Sequence, residues 1–191
     1  WHRMTSLFQI VEGGEYGWRS GWANQPDYYI DRLPALQTTG RSSPTGAIVY
    51  DHNVYPTRYQ QSLFLADWSE GRILRVDTRP SPEGTFPKPI PFVIGRPMNI
   101  TDMDVSPDGA IYFCTGGRGT AGGIYAVRWT GKPKDVNDAE DQSIAKAIRQ
   151  PQLQSAWGRQ SVAMVKRDLG ADWDEEIAGV AYSPDNPARY R

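Results

Sequence analysis

The feature that most constrains this chain is a series of short β-type runs between residues 7 and 127, each separated from the next by turn residues. The runs hold four or five residues rich in branched and aromatic side chains. They are bounded by Gly, Pro, Asp or Ser, as strands commonly are. Strands joined by short hairpins form antiparallel meanders, which is how a propeller blade is built. The runs that predict this mainly β fold are Leu7–Val11, Ala47–Tyr50, Leu63–Ala66, Arg72–Val76, Ile111–Cys114 and Ile124–Val127.

Two connections between these runs have recognisable turn chemistry. Asp67–Gly71 separates two runs and predicts a hairpin loop, with the Asp67 carboxylate fixing it and Trp68 packing the sheet. In Ser106–Gly109 the proline presets φ and the glycine accepts a left-handed backbone. We therefore expect the Asp108 side chain to serve its own turn.

The pattern changes after residue 132, where β-type runs give way to a polar stretch and then to helical spacing. Apolar residues from Leu153 to Leu169 recur at helical intervals, with Gly170 as the C-cap. Asp172 and Glu175 resemble a capping box that begins a second helix, which predicts an antiparallel pair. One such pair cannot bury its apolar faces alone, so it predicts the start of a helical repeat. We expect a partial β-propeller over 1–131, a linker over 132–150 and the repeat over 151–191.

Composition narrows the function classes. The 191 residues carry a net charge of −1, which argues against a nucleic-acid surface. No apolar run approaches the ~18 residues that a membrane span needs. One cysteine cannot form an intrachain disulfide, and two histidines, His2 and His52, argue against a histidine-based metal site. The chain begins at Trp1, and we expect it to be an excerpt from a longer protein.

Several motifs resemble a known family. Glu12–Arg19 is similar to the Gly-x-x-Tyr-Gly-Trp segment of glucose/sorbosone dehydrogenase-like β-propellers. Further similar motifs follow in that family's order: Ser43–Gly46, Tyr50, Tyr55–Pro56, Leu63–Phe64, Gly71–Ile73, and Asp102 with Ser106–Gly109. The chain more closely resembles the large bacterial "membrane-bound dehydrogenase" proteins, in which a propeller precedes HEAT-like helices and a c-type cytochrome. Gly116–Thr120 and Ser155–Arg159 look like features of that branch.

The resemblance covers residues 1–182 and implies a fold, a function and a location. The implied fold is about three blades of a six-bladed propeller, followed by a HEAT-like helical hairpin. The implied function is that of a fragment of a sugar or polyol dehydrogenase, which passes electrons to a c-type cytochrome domain outside this chain. The implied location is periplasmic or secreted. The family's general-base histidine belongs to an earlier blade, so no catalytic residue is assigned here.

The chain departs from the family at the positions that hold pyrroloquinoline quinone, a cofactor bound with Ca²⁺ in soluble quinoprotein sugar dehydrogenases. Their Arg-x-Arg-Asp segment corresponds to Asn99–Asp102, so both cationic positions are neutral and only the aspartate remains. A lysine expected in the preceding loop corresponds to Ser69. Three lost cations remove contacts worth about 1.5–3 kcal/mol each. The alternative therefore stays open that the propeller is non-catalytic and binds a glycan or a protein partner.

Four residues are the candidate ligand contacts. Asp102 and Arg118 are predicted to bind a cofactor, and Arg19 and Arg41 a sugar or polyol. For Asp102 the alternative is a hydrogen bond to nearby backbone. For the segment that contains Arg19, the alternative is aromatic core packing.

The glycine-rich loop that carries Arg118 satisfies the Gly-x-Gly-x-x-Gly pattern over Gly117–Gly122. A dinucleotide site needs a helix after the glycines, and the next segment here reads as a strand. We therefore predict a hairpin tip, and the alternative is that Arg118 in this tip serves as a channel-facing cation for an anionic ligand. The aspartates at 102, 104 and 108 do not match a calcium-binding EF-hand loop, so no metal site is predicted.

Overall fold

A computed structural model describes residues 4–17, 28–82, 84–131, 144–148 and 150–182. These residues form nine β-strands in three antiparallel sheets, with three α-helices after the last strand. The prediction of a mainly β fold is confirmed. The chain divides into two compact units. The first comprises Trp1–Val49, Gln61–Met103 and Phe113–Tyr125, and the second comprises Tyr50–Gln60, Asp104–Tyr112 and Ala126–Arg191.

The first sheet pairs β1 (Thr5–Leu7) with β2 (Gln37–Gly40) in antiparallel register. The strand predicted over Leu7–Val11 is thus displaced towards the N-terminus. The reason is that the Tyr16 side chain, and not a partner strand, forms hydrogen bonds with the backbone of residues 9 and 11. The hydroxyl of Tyr16 accepts a hydrogen bond from the Val11 amide at 2.7 Å and donates one to the Gln9 carbonyl at 2.8 Å.

The second sheet has four strands in chain order, β3 (Pro44–Tyr50), β4 (Ser62–Asp67), β5 (Arg72–Val76) and β6 (Ile90–Ile94). A four-stranded meander in chain order is the form of a propeller blade. Asp67 pairs with Arg72, which confirms the predicted hairpin loop between them. Strand β6 was not predicted, because its Ile-Pro-Phe-Val-Ile sequence contains a proline, which demotes a run as a strand candidate.

The third sheet is a meander of β7 (Ile100–Val105), β8 (Ile111–Thr115) and β9 (Gly123–Val127). Ile100, Met103 and Val105 of β7 are buried, so β7 is a core strand. The sequence pattern predicts no strand at β7. Asn99–Asp102 is identified there only as a segment that binds a cofactor in the family that the chain resembles. Three such sheets are consistent with a partial propeller, while the count of six blades stays a prediction.

The helices are α1 (Ile144–Ile148), α2 (Ala156–Leu169) and α3 (Trp173–Tyr182), with a short 3₁₀ turn at Gly170–Asp172 between the last two. The Ser155 side chain caps α2 by accepting from the Gly158 amide at 3.0 Å, and Gly170 ends it with φ of +57°. The predicted helix and its C-cap are confirmed. Helix α1, inside the range assigned as a linker, contacts both α2 and α3. No helix among the described residues is long and apolar enough to cross a membrane.

The Ser106–Gly109 turn has the structure that its sequence predicts. The Gly109 amide donates to the Ser106 carbonyl at 2.9 Å, and Gly109 has φ of +76°. Asp108 accepts hydrogen bonds from the Ser106 hydroxyl and from the Ala110 amide. These bonds and Arg128 lower the pKa of Asp108 to about 2. Asp108 thus serves its own turn, as predicted.

Substitution of Gly109 tests how tightly the turn is packed against its neighbours. A Cβ at this position would lie 2.6 Å from Val54 Cβ and 2.8 Å from His52 Nδ1. We expect Gly109→Ala to lower the free energy of unfolding by about 2–4 kcal/mol, from left-handed strain and overpacking together. Gly13→Ala is the matched control, because Gly13 has φ of +72° and a Cβ there would meet no described atom within 4 Å. Urea denaturation measures both, and equal losses would show that packing at Gly109 does not matter.

His52 is 6 % exposed and packs under the same turn. Its Nδ1 accepts from the Val54 amide at 3.3 Å, and its Nε2 lies 3.3 Å from the Pro107 carbonyl, to which it donates as the neutral tautomer. Burial lowers the pKa of His52. The Pro107 carbonyl and the nearby carboxylates of Asp108 and Asp51 act in the opposite direction.

The lowered pKa of His52 predicts a pH dependence of stability. The unfolded chain takes up a proton at the usual pKa of 6.5, whereas the folded chain resists protonation until lower pH. His52 therefore contributes stability that is fully present above pH 6.5 and is lost as the pH falls from there through the folded-state pKa. We expect urea midpoints to drop across this window and His52→Gln to flatten the drop. His2→Gln is the control, and an unchanged profile in His52→Gln would contradict the prediction.

Candidate functional site

The candidate site lies in the first unit, where the β4–β5 hairpin, the start of β7 and the loop after β8 meet. Its foundation is the Asp67 carboxylate, which is 3 % exposed. It accepts hydrogen bonds from the Ser43 amide, the Ser69 hydroxyl and Arg72 Nε, each at 3.0 Å. Asp67 thus fixes the hairpin loop, as the sequence predicts.

Trp68 is held at both ends by hydrogen bonds. Its amide donates to the Ser43 carbonyl at 2.9 Å, and its indole Nε1 donates to the Gly116 carbonyl at 2.8 Å. The Asn99 side chain donates to the Trp68 carbonyl at 2.9 Å, while the Asn99 carbonyl accepts from the Gly116 amide at 2.9 Å. Three hydrogen bonds therefore close a ring through Trp68, Asn99 and Gly116, which fixes the indole against the glycine-rich loop.

At the three positions where the resemblance implies cations, Ser69, Asn99 and Thr101, the side chains bind the protein itself. Ser69 donates to Asp67, and Asn99 donates to the Trp68 carbonyl. The Thr101 hydroxyl donates to the Cys114 carbonyl at 3.3 Å. None of the three is charged, and each donates within the protein. These residues do not fit the three carboxylates of pyrroloquinoline quinone.

Asp102 lies on β7 and its side chain is exposed. Its Oδ1 accepts from the neighbouring Met103 amide at 2.8 Å, which is the local backbone bond considered in the sequence analysis. A Cβ at Gly46 would lie 3.0 Å from Asp102 Oδ1, so glycine on β3 leaves room for this carboxylate. Asp102 thus presents an exposed carboxyl group on β7.

Arg118 lies at the tip of the loop between β8 and β9. Its side chain is exposed, and its guanidinium carbon is 5.5 Å from the centroid of the Trp68 ring. A cation over an indole at an exposed site contributes about 0.5–1 kcal/mol. Among the described residues, no carboxylate forms an ion pair with Arg118. The segment after the loop is strand β9, as predicted, so the helix that a dinucleotide site needs is not there.

Of the two residues predicted to bind sugar, the structure describes only Arg41. Arg41 is exposed just after β2, and no hydrogen bond or ion pair joins it to another described residue. Arg19 lies outside the described residues. Tyr16, in the same motif, packs edge-on against Phe8 at 5.5 Å between centroids, and its hydroxyl is used by backbone groups. In the described part of the chain, no three His, Cys, Asp or Glu side chains come together as metal ligands would.

The sequence does not predict Trp68 as the centre of the site. It indicates a role in blade packing for Trp68, and for Asn99 only the absence of a cation. The bonds from Trp68 to Asn99 and Gly116 span 31 and 48 residues. No local pattern carries a signal for contacts between residues so far apart in the chain.

No family model matches this chain, and no curated protein matches it. Solved structures of glucose dehydrogenases do. One shows 20% identity over 51% of this chain with a TM-score of 0.43, and a second shows 18% over 53% with 0.45. A third, from Thermus thermophilus and named as a putative oxidoreductase (glucose dehydrogenase), shows 19% over 62% with 0.45. The matched part spans 29%, 28% and 35% of those structures, respectively.

Proposed function

We propose that this chain is part of a carbohydrate-binding β module, and that it does not hold a quinone cofactor. The observation that supports this is the Trp68–Arg118 surface, defined as Trp68 with the Gly116–Gly119 loop. An indole offers a large amphipathic face, and a guanidinium beside it adds hydrogen-bond donors, a combination suited to a sugar ring. The nearby residues Ser69, Asn99 and Thr101 support the second part of the proposal, that no quinone is held. They are uncharged, and each donates a hydrogen bond within the protein.

Calorimetric titration with short oligosaccharides tests this proposal. We expect binding that Trp68→Ala weakens by roughly tenfold or more, because the aromatic contact is lost. Trp129→Ala is the matched control, since Trp129 is also partly exposed, at 39 %, but lies outside the surface. Pyrroloquinoline quinone with Ca²⁺ is titrated in parallel, and we expect no binding. Tight quinone binding, or equal effects of the two tryptophan variants, would overturn the proposal.

A second candidate is the sugar or polyol dehydrogenase that the motifs imply, passing electrons to a c-type cytochrome domain outside this chain. The exposed carboxylate of Asp102 favours it, because the family has an aspartate at that position. The test is dye reduction by the protein that contains this chain, with mixed sugars as substrates. Turnover that Asp102→Asn lowers at least tenfold would support the dehydrogenase. No turnover with any sugar would exclude it.

A further inference from the structure

The backbone of the loop that carries Arg118 has an unusual feature. The Thr120 amide donates to the Gly117 carbonyl at 3.0 Å, which closes a four-residue turn around Arg118 and Gly119. Both central residues have positive φ, at +51° for Arg118 and +81° for Gly119, as in a type I′ turn. Glycine and asparagine are the residues that favour such positions. Arg118 therefore adopts a backbone conformation that is unfavourable for arginine.

Hydrogen bonds next to the loop fix the position of Arg118. The hydrogen-bond ring of Trp68, Asn99 and Gly116 attaches the loop to the β4–β5 hairpin just before Arg118. Gly117 brings the loop close to the indole, since a Cβ there would lie 3.6 Å from Trp68 Nε1. The guanidinium is thereby presented over the indole, exposed to solvent.

Among the described residues, no carboxylate lies within ion-pair distance of the Arg118 guanidinium. Asp67, the acidic residue next to Trp68 in the sequence, is paired with Arg72 at 3.0 Å. Arg79, Arg128 and Arg167 form ion pairs with Asp77, Asp108 and Asp168. A guanidinium binds planar oxoanions through two parallel hydrogen bonds, which gives it both strength and specificity. Residues in sparsely populated backbone conformations cluster at functional sites.

We infer that the Trp68–Arg118 surface selects sugars that carry an oxoanion, either a carboxylate or a sulfate ester. This inference rests on the proposed carbohydrate binding and adds the substrate class. Arg118 contacts the oxoanion, and Asn99 is a positioning residue that acts by holding Trp68 and Gly116. The affinity falls with added salt, because the contact is between exposed charges.

The test compares three trisaccharides by calorimetry: a neutral galactose oligomer, its galacturonic acid counterpart and a sulfated galactose oligomer. We expect the two charged sugars to bind at least tenfold more tightly than the neutral one, and their ratio shows which oxoanion is preferred. Arg118→Asn, which tolerates positive φ, is expected to abolish that preference without lowering the urea midpoint. Arg79→Asn, at an exposed arginine paired with Asp77, is the control.

A measurement that uses no sugar separates failure of the oxoanion inference from failure of carbohydrate binding. Titration of the wild-type chain with sodium sulfate, followed by the NMR signal of the Trp68 indole N–H, tests the anion contact without a sugar. Trp68→Phe identifies that signal, and Asn99→Asp is expected to speed its hydrogen exchange and weaken binding of the charged sugars. Equal affinity for neutral and charged sugars would overturn the inference and leave carbohydrate binding intact. A sulfate response without binding of any sugar would overturn carbohydrate binding while retaining the anion contact.

Discussion

Replacement of Asp67 by alanine is expected to lower the free energy of unfolding by about 3 kcal/mol or more. The carboxylate is almost fully buried and accepts from Ser43, Ser69 and Arg72, so its loss leaves several donors unpaired. An unpaired buried donor costs about 1–3 kcal/mol. Arg72 is 24% exposed and can be partly solvated, which limits the loss.

Asp77→Ala is the matched control for this experiment. Its carboxylate pairs with Arg79 through two hydrogen bonds of 2.9 and 2.8 Å, but Arg79 is 56% exposed. An exposed pair of this kind contributes about 0–1 kcal/mol. Urea denaturation followed by circular dichroism measures both variants. If the two losses are the same, the Asp67 network does not have the stabilising role assigned to it.

Asp67→Ala has a second expected result at the candidate site. The loop that Asp67 fixes carries Trp68, so its loss should also loosen the Trp68–Arg118 surface. We expect faster hydrogen exchange at the Trp68 indole N–H in this variant, and no change in Asp77→Ala. Unchanged exchange in Asp67→Ala would show that the hydrogen-bond ring holds the indole without help from the carboxylate.

Phe64→Ala is expected to have a comparably large effect, a loss of about 3–5 kcal/mol. Phe64 on β4 is completely buried and packs edge-on against Phe92 of β6, with 4.8 Å between the ring centroids. Truncation removes the apolar contact and leaves a cavity that the surrounding sheet cannot fully close. Because β4 is an interior strand of the four-stranded sheet, its neighbours restrict that collapse.

Two further variants make the Phe64 result specific. Phe64→Leu retains much of the side-chain volume and should cost distinctly less than alanine. Leu65→Ala changes the next residue on β4, whose side chain points to the opposite face and is only half-buried. We expect it to lose about 1–2 kcal/mol. If Leu65→Ala lost as much stability as Phe64→Ala, the core would not lie mainly on the face of β4 that carries Phe64.

Local sequence predicted the elements whose signals lie within a few residues. The hairpin at Asp67–Gly71 and the turn at Ser106–Gly109 follow from turn chemistry, and Gly170 ends α2 where a C-cap was expected. Strands β5 and β9 lie within one residue of their predicted bounds. At the two turns and the C-cap the controlling interactions, φ preference and short-range hydrogen bonds, are set by adjacent residues. The two strands are indicated by local runs of branched and aromatic residues bounded by turn residues.

Elements that depend on distant partners were missed or misplaced. Strand β2, Gln37–Gly40, has little apolar content and exists because it pairs with β1, which lies far earlier in the chain. β7 was recognised only as a motif, although Ile100, Met103 and Val105 are buried in the core. A strand needs a partner to satisfy its backbone groups, and the sequence of one strand does not specify which partner it will find.

The candidate site shows the same division. The sequence by itself determined that neutral residues stand at 69, 99 and 101, where the resemblance implies cations, and that Arg118 lies in a glycine-rich tip. Only the tertiary structure decided what the neutral residues do and what Arg118 contacts. Asn99 and Gly116 reach Trp68 across 31 and 48 residues of chain. The physical reason is that residue type is fixed by position in the chain, whereas a hydrogen-bond partner is fixed by the packing of strands that are far apart in sequence.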